Sequence, residues 1–92
     1  MTLNFPNESR SFDATRRRIR FWGYDGAIEI LFYVDADALQ KLGSLSPEMG
    51  RADAVILKAF DAARERIYQV ADKVYMRNRN GSFAYCLATA DF

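Results

Sequence analysis

Arginines and aromatic residues are concentrated in one short stretch of the chain, RRRIRFWGY at positions 16 to 24. Aromatic side chains stack on nucleotide bases and arginines bond to phosphates, so these residue types suit a single-stranded nucleic-acid site. Trp, Tyr and Arg are also enriched where two proteins associate. Three residues of this stretch and two that follow it form what we call the candidate surface: Arg18, Arg20, Trp22, Leu31 and Tyr33.

A β-hairpin is predicted to position the candidate surface. Apolar and other residues alternate on both sides of Asp25-Gly26, a pair favoured in two-residue type I′ turns. With the turn at these two residues, Trp22 lies opposite Glu29 and Arg20 lies opposite Leu31. One face of the hairpin then carries an aliphatic and aromatic row, which comprises Ile19, Phe21, Ile28, Ile30, Phe32 and Val34. The candidate surface lies on the other face.

Helical patterns follow the hairpin. Asp35 is an N-cap candidate for a short helix over Ala36–Leu42, which Gly43 ends. Ala52–Arg77 contains no Pro or Gly, and its apolar residues recur every three or four positions, so one long amphipathic helix is predicted. Ser82–Leu87 alternates again and predicts a last strand.

The order of these elements predicts an α+β fold. A small antiparallel sheet, made of the N-terminal hairpin or meander and the C-terminal strand, packs under one long helix, with the short helix between them. Residues 1–9 are polar with no period and are interpreted as a flexible arm that Leu3 and Phe5 could anchor. Residues 10–92 form a single domain, which is the usual size for a chain of this length.

Residue types argue against several chemistries. Histidine is absent, which removes the commonest general base and most zinc sites. Cys86 has no predicted partner to activate it, and Asp35 with Asp37 is interpreted as a helix cap with a dipole-stabilising acid rather than a metal pair. We therefore expect no enzyme activity, no catalytic residue, no cofactor and no metal.

Charge and hydropathy limit the partners. The net charge is only +1, although residues 1–24 carry five arginines against two acids. No apolar run approaches the roughly 20 residues of a membrane span, so no membrane partner is expected. A single cysteine cannot form an internal disulfide, which favours a cytoplasmic location.

Four segments resemble those of a known family. They are IRFWGYDGAIEILFYV, DADALQKL, AFDAARERIYQVADKVY and the terminal TADF. In spacing and order the chain resembles, over about residues 10–92, the proteobacterial domain-of-unknown-function family 1488. This resemblance implies a short α+β protein and supplies no activity, cofactor or catalytic residue.

Three explanations compete for the candidate surface, which is too apolar for a plain solvent face. The first and favoured one is self-association or another protein partner, as a homodimer for example. The second is cover by the N-terminal arm through Leu3 and Phe5. The third is single-stranded nucleic acid, with Arg16 and Arg17 added to the site, although Glu29 opposite Trp22 and the small net charge argue against it.

Overall fold

The computed structural model describes residues 3–46, 48, 52–78 and 84–92. Its strands are β1 (Arg10–Asp13), β2 (Arg18–Asp25), β3 (Ile28–Asp35) and β4 (Ala84–Leu87). Its helices are α1 (Ala36–Lys41), α2 (Asp53–Ala62) and α3 (Arg64–Arg77), and a 3-10 turn covers Thr89–Asp91. The α+β prediction is confirmed.

One mixed sheet holds the four strands in the order β1-β2-β3-β4. β1, β2 and β3 are antiparallel neighbours, as predicted, but β4 runs parallel to β3. The sheet is therefore not antiparallel throughout. The helices between β3 and β4 return the chain to the end of the sheet at which β3 begins. A strand that follows such a crossover runs parallel to the strand before it.

The β2–β3 turn lies one residue later in the chain than predicted, and each cross-strand partner shifts by two residues. Asp25 pairs with Ile28, so the two turn residues are Gly26 and Ala27. Gly26 has φ +62°, whereas Ala27 does not have a positive φ, which is the pattern of a type II′ turn with glycine first. Because side chains alternate with a period of two, this shift keeps every residue on its predicted face and changes only its partner.

Aromatic rings fill the core between the inner face of the sheet and the helices. Phe21 stacks on Phe32 and also contacts Phe60 of α2, both with ring centroids 5.3 Å apart. Ile19 and Val34 are fully buried on the same inner face. The helices contribute a further set of buried residues, namely Ile56, Phe60, Ile67, Val70, Ala71 and Val74.

The predicted long helix is interrupted at Ala63, which has φ −110° and ψ 11°. Its amide donates to the Phe60 carbonyl three residues back, and the helical pattern resumes when Ile67 donates to Ala63. Neither glycine nor proline marks this position, so the prediction of one continuous helix is wrong there. Arg64 directly after the break donates hydrogen bonds to Asp61 and Tyr68 nearby and to the Glu8 carbonyl far away in sequence.

The shorter elements match their predictions closely. Asp35 occupies the N-cap position of α1, although its side chain makes no capping hydrogen bond, and Gly43 follows the helix with φ +83°. In β4, Tyr85 and Leu87 are buried on the inner face. Ser82 and Phe83, the first two residues of the predicted last strand, lie outside the described residues.

Candidate interaction surface

The outer face of the sheet is the face that points away from the core. Strand register and alternation place these residues on it: Ser11, Asp13, Arg18, Arg20, Trp22, Tyr24, Glu29, Leu31, Tyr33, Asp35, Ala84 and Cys86. The set includes the whole candidate surface. The described helices bury their apolar residues against the other face, which leaves this face without a helix.

Trp22 lies directly opposite Leu31 in the middle of the outer face. Both side chains are half-buried, and no described helix lies over this part of the sheet. Glu29, which was predicted to face Trp22, instead faces Tyr24 nearer the turn. The centre of the outer face is therefore an apolar cross-strand pair, flanked by charged and phenolic residues.

Arg18 lies over an aromatic ring. Its guanidinium carbon is 3.6 Å from the centroid of the Tyr33 ring, a close cation–π geometry. Its Nε lies 3.7 Å from Asp13 Oδ2 and is buried without a hydrogen-bond partner. Its Nη1 lies 4.0 Å from the Sγ of Cys86 on β4. Arg18 is thus held flat against the sheet while one of its donors remains unused.

Arg20 repeats this arrangement one row nearer the turn. Its guanidinium carbon is 5.5 Å from the centroid of the Trp22 ring, and its Nε donates to the Ser11 hydroxyl at 3.3 Å. Arg20 itself is exposed. Each of the two arginines therefore lies over an aromatic ring of its own chain.

Tyr24 and Glu29 form the end of the outer face next to the turn. The Tyr24 hydroxyl donates to Glu29 Oε2 at 2.8 Å. This hydrogen bond raises the pKa of the Tyr24 phenol above its ordinary value, and desolvation and the negative charge of Glu29 act in the same direction. The turn end of the outer face thus carries Glu29 without an arginine beside it, while both arginines lie towards the opposite end, together with Asp13 and Asp35.

Leu3 and Phe5 lie on the helical side of the sheet and do not cover Trp22. The Phe5 ring stacks on Tyr68 with centroids 4.0 Å apart. It also occupies the space beside Gly23, where an added Cβ would lie 2.7 Å from Phe5 Cε1. Leu3 is buried, and its amide donates to Asp72 Oδ1 at 2.9 Å. Cover of the candidate surface by these two residues, the second explanation, is therefore wrong.

A polar cluster ties the chain start to the helix break. Asp61 and Arg64, three residues apart, form an ion pair at 2.8 Å, and Arg10 of β1 also binds Asp61 through two hydrogen bonds. Arg64 donates in addition to the Tyr68 hydroxyl and to the Glu8 carbonyl. Helical spacing predicts the first pair, whereas the contacts to Arg10 and Glu8 span more than 50 residues and leave no local signal.

The pKa of Asp61 reflects this cluster. Burial on its own would raise that pKa, but the hydrogen bonds and charges of Arg10 and Arg64 outweigh the effect of burial and lower it. The lowered pKa of Asp61 is therefore explained by its contacts with Arg10 and Arg64.

The other residues considered for chemistry are not brought together. Cys86 is exposed on β4, and Asp35 and Asp37 lie at the start of α1 with Asp37 in the first turn. Within the described ranges, no group of three or more Cys, Asp or Glu residues is placed to hold a metal ion. None of the helices seen in those ranges combines the length and the apolar character needed to cross a membrane.

An open groove of about 450 Å³ lies on the helical side, along the last turns of α3. Lys73, Met76 and Arg77 line it, together with Asp72 and Asp91. Acids and bases alternate there, and Arg77 is within 3.8 Å of Asp91. The groove therefore presents no concentration of one charge that would select a ligand.

The fold and the outer face define a class: a small α+β domain with a mixed four-stranded sheet whose described helices all pack on one face. The model of the DUF1488 family, described as a protein of unknown function, matches residues 3–87. The chain belongs to this family, and the resemblance seen in the sequence is confirmed. No curated protein matches the chain.

A solved structure has the same fold. It is a protein of unknown function of the DUF1488 family from Shewanella loihica PV-4, with a TM-score of 0.76 and 17% sequence identity. The match covers 94% of this chain and 91% of that one. The likeness extends to the overall architecture, including both layers.

Proposed function

We propose that this protein is a non-enzymatic association module that binds a protein partner through the outer face of its sheet. The observation that carries the proposal is the Trp22–Leu31 pair at the centre of a face that no described helix covers. Half-buried apolar side chains of this kind gain free energy when a partner removes them from water, at about 25 cal/mol per Å². A cytoplasmic location belongs to the same proposal, since the only cysteine is a free thiol.

The ordering of the arginines supports association. Arg18 and Arg20 already lie against Tyr33 and Trp22, so little side-chain entropy remains to be lost on binding. Trp, Tyr and Arg are also the residues that most often contribute binding energy at the centre of protein interfaces. A rigid face of these residues is therefore suited to a protein surface.

Single-stranded nucleic acid is the alternative occupant, and the charges of the outer face disfavour it. Two arginines share the face with three acids, namely Asp13, Glu29 and Asp35. Arg18 is partly compensated by Asp13, at 3.7 Å. A phosphate backbone needs an excess of positive charge, because counterion release supplies most of the affinity.

Photo-crosslinking in cells that produce the protein tests the proposal. Leu31 is replaced by a benzoylphenylalanine in one variant and Met76 in a control variant, since Met76 is exposed on the helical side. We expect covalent adducts with a polypeptide from position 31, unchanged by nuclease treatment, and none from position 76. Equal adducts from both positions, no adduct at all, or an adduct that nuclease removes would overturn the proposal.

The nucleic-acid alternative has its own test. Arg18→Ala and Arg20→Ala would weaken binding to a fluorescent single-stranded oligonucleotide at low salt if this alternative were true. We expect no salt-dependent binding in the unsubstituted protein.

A further inference from the structure

We infer that the partner is a second copy of this chain, packed outer face to outer face about a two-fold axis that runs along the strands between β2 and β3. In this arrangement Arg18 of each copy meets Asp35 of the other. The inference rests on the proposed function and names the partner for the same surface.

The outer face is complementary to itself. A two-fold interface requires that where residue i meets residue j, residue j also meets residue i. An axis between β2 and β3 lays each β2 residue across from the residue that is its cross-strand partner within its own chain. The resulting contacts between copies are all favourable in chemical type. Arg18 meets the acid Asp35, and Arg20 meets the phenol of Tyr33. Trp22 meets the apolar Leu31, and the phenol of Tyr24 meets the acid Glu29.

Other two-fold arrangements of the same faces are less favourable. An axis perpendicular to the strands at the Trp22–Leu31 row leaves Arg18 and Asp35 beyond the end of the other hairpin, with no contact. Moving that axis by half a row brings Asp35 across from Glu29 of the second copy, and like charges repel. The axis along the strands avoids both problems.

Arg18 and Asp35 both have bonding capacity left for a contact between copies. The Arg18 side chain is 20% exposed, and its nearest carboxylate contact in its own chain, Asp13 at 3.7 Å, is longer than a hydrogen bond. Asp35 makes no side-chain hydrogen bond to the helix that it precedes. Packed sheets rotate by about 30° relative to each other, and the long Arg18 side chain can span the offset that this rotation produces at the end of the strands.

The size of the surface predicts a weak dimer. The strands of 4, 8, 8 and 4 residues cover roughly 400 Å² of flat face per copy, at about 3.4 Å per residue and 4.8 Å per strand. Twice this area lies below the standard size of a stable interface, so we expect a dissociation constant of roughly 1–50 µM.

A charge exchange between Arg18 and Asp35 tests the arrangement. The double variant Arg18→Glu/Asp35→Arg retains an opposite-charge pair within the chain and between identical copies. In a mixed dimer with the unsubstituted protein, however, Arg18 meets an arginine and Asp35 meets a glutamate. Native mass spectrometry of an equal mixture should therefore show mixed dimers roughly tenfold below the statistical share, the factor that follows when two exposed attractive pairs become repulsive. The control Glu65→Arg/Arg66→Glu alters exposed residues of α3 with the same net charge and should mix statistically. Because this exchange leaves the mass of the chain unchanged, the unsubstituted protein is labelled with a heavy nitrogen isotope in both mixtures.

The two single variants give the complementary result. Arg18→Glu and Asp35→Arg should each dimerise more weakly than the unsubstituted protein and should form a dimer with each other, because mixing restores both contacts between copies. Circular dichroism establishes that each variant is folded before its association is measured. The double variant keeps the test available if a single variant does not fold.

Each failure has a distinct meaning. Sedimentation equilibrium that finds only monomer at about 100 µM, at least twice the expected dissociation constant, overturns the second copy as partner, while the adducts at position 31 continue to decide the proposed function. Dimers in which the double variant and the unsubstituted protein mix statistically overturn the arrangement.

Discussion

Replacing Gly23 by alanine should push the Phe5 ring away from β2. A Cβ at this position would lie 2.7 Å from Phe5 Cε1, 3.1 Å from Phe5 Cζ and 3.2 Å from Phe32 Cε2. Carbon atoms in contact prefer about 3.5–4.0 Å, so the Phe5 ring must retreat by almost 1 Å. Retreat disturbs its stacking on Tyr68, where the ring centroids are now 4.0 Å apart.

The expected loss in the free energy of unfolding is about 1–2 kcal/mol. Overpacking a core position costs about 1–3 kcal/mol. Alanine also restricts the unfolded chain more than glycine does, which offsets about 0.4–1 kcal/mol of that cost. The effect should appear as a lower midpoint of urea unfolding, with an unchanged dependence of the free energy on urea concentration. Far-ultraviolet circular dichroism and Trp22 fluorescence both monitor this unfolding.

A double-mutant cycle isolates the contact. In a Phe5→Ala background the obstructing ring is gone, so Gly23→Ala should cost less than about 0.5 kcal/mol or should stabilise the protein. Gly26→Ala is the matched control, because Gly26 has φ +62° and no atom within 4 Å of an added Cβ. Its cost comes from the backbone alone and should be equal in both backgrounds. If Gly23→Ala costs the same with and without the Phe5 ring, the packing argument is refuted.

Two further substitutions test a strained turn and an ion-pair cluster. Arg17 has φ +50°, so Arg17→Gly should raise the free energy of unfolding by about 0.5–1 kcal/mol in urea titration. The control Arg16→Gly, at a position without positive φ, should lower it. A loss of stability in Arg17→Gly would contradict the assignment of strain. The folded state lowers the pKa of Asp61, so its contribution to stability is complete above the ordinary carboxyl value near pH 4 and is lost as the pH falls through the lower folded value. Thermal unfolding measured between about pH 5 and pH 2 should therefore depend less on pH in Asp61→Asn than in the unsubstituted protein. Equal dependence in the two proteins would show that Arg10 and Arg64 do not stabilise the charged carboxylate.

Sequence pattern was sufficient to assign the faces of the hairpin. Ile19, Phe21, Phe32 and Val34 point inward as predicted, and the candidate surface points outward. The assignment is robust because a register shift of two residues leaves every side chain on the same face. The same shift changes each cross-strand partner, so the pairing of Trp22 with Leu31 could not be predicted from a turn that has two acceptable positions.

Local sequence was also sufficient to predict most helical residues. Capping positions and apolar spacing depend on neighbours within one or two turns, and these signals are present in the chain itself. The break at Ala63 carries no such signal. It is accompanied by Arg64 binding Asp61, Tyr68 and the Glu8 carbonyl, and the last of these contacts exists only once the chain start has been brought to the helices.

Composition and periodicity thus determined the class of the fold, the two faces of its hairpin and the residues of the candidate surface, because each depends on short-range order along the chain. Tertiary structure alone decided three features: the parallel pairing of β4, the helix break, and the position of Phe5 beneath Gly23. All three depend on contacts between segments far apart in sequence. Such contacts depend on how the whole core packs. Because Gly23 has no side chain, the Phe5 ring fits beside it on the helical side of the sheet, and the N-terminal arm therefore does not cover Trp22 on the outer face.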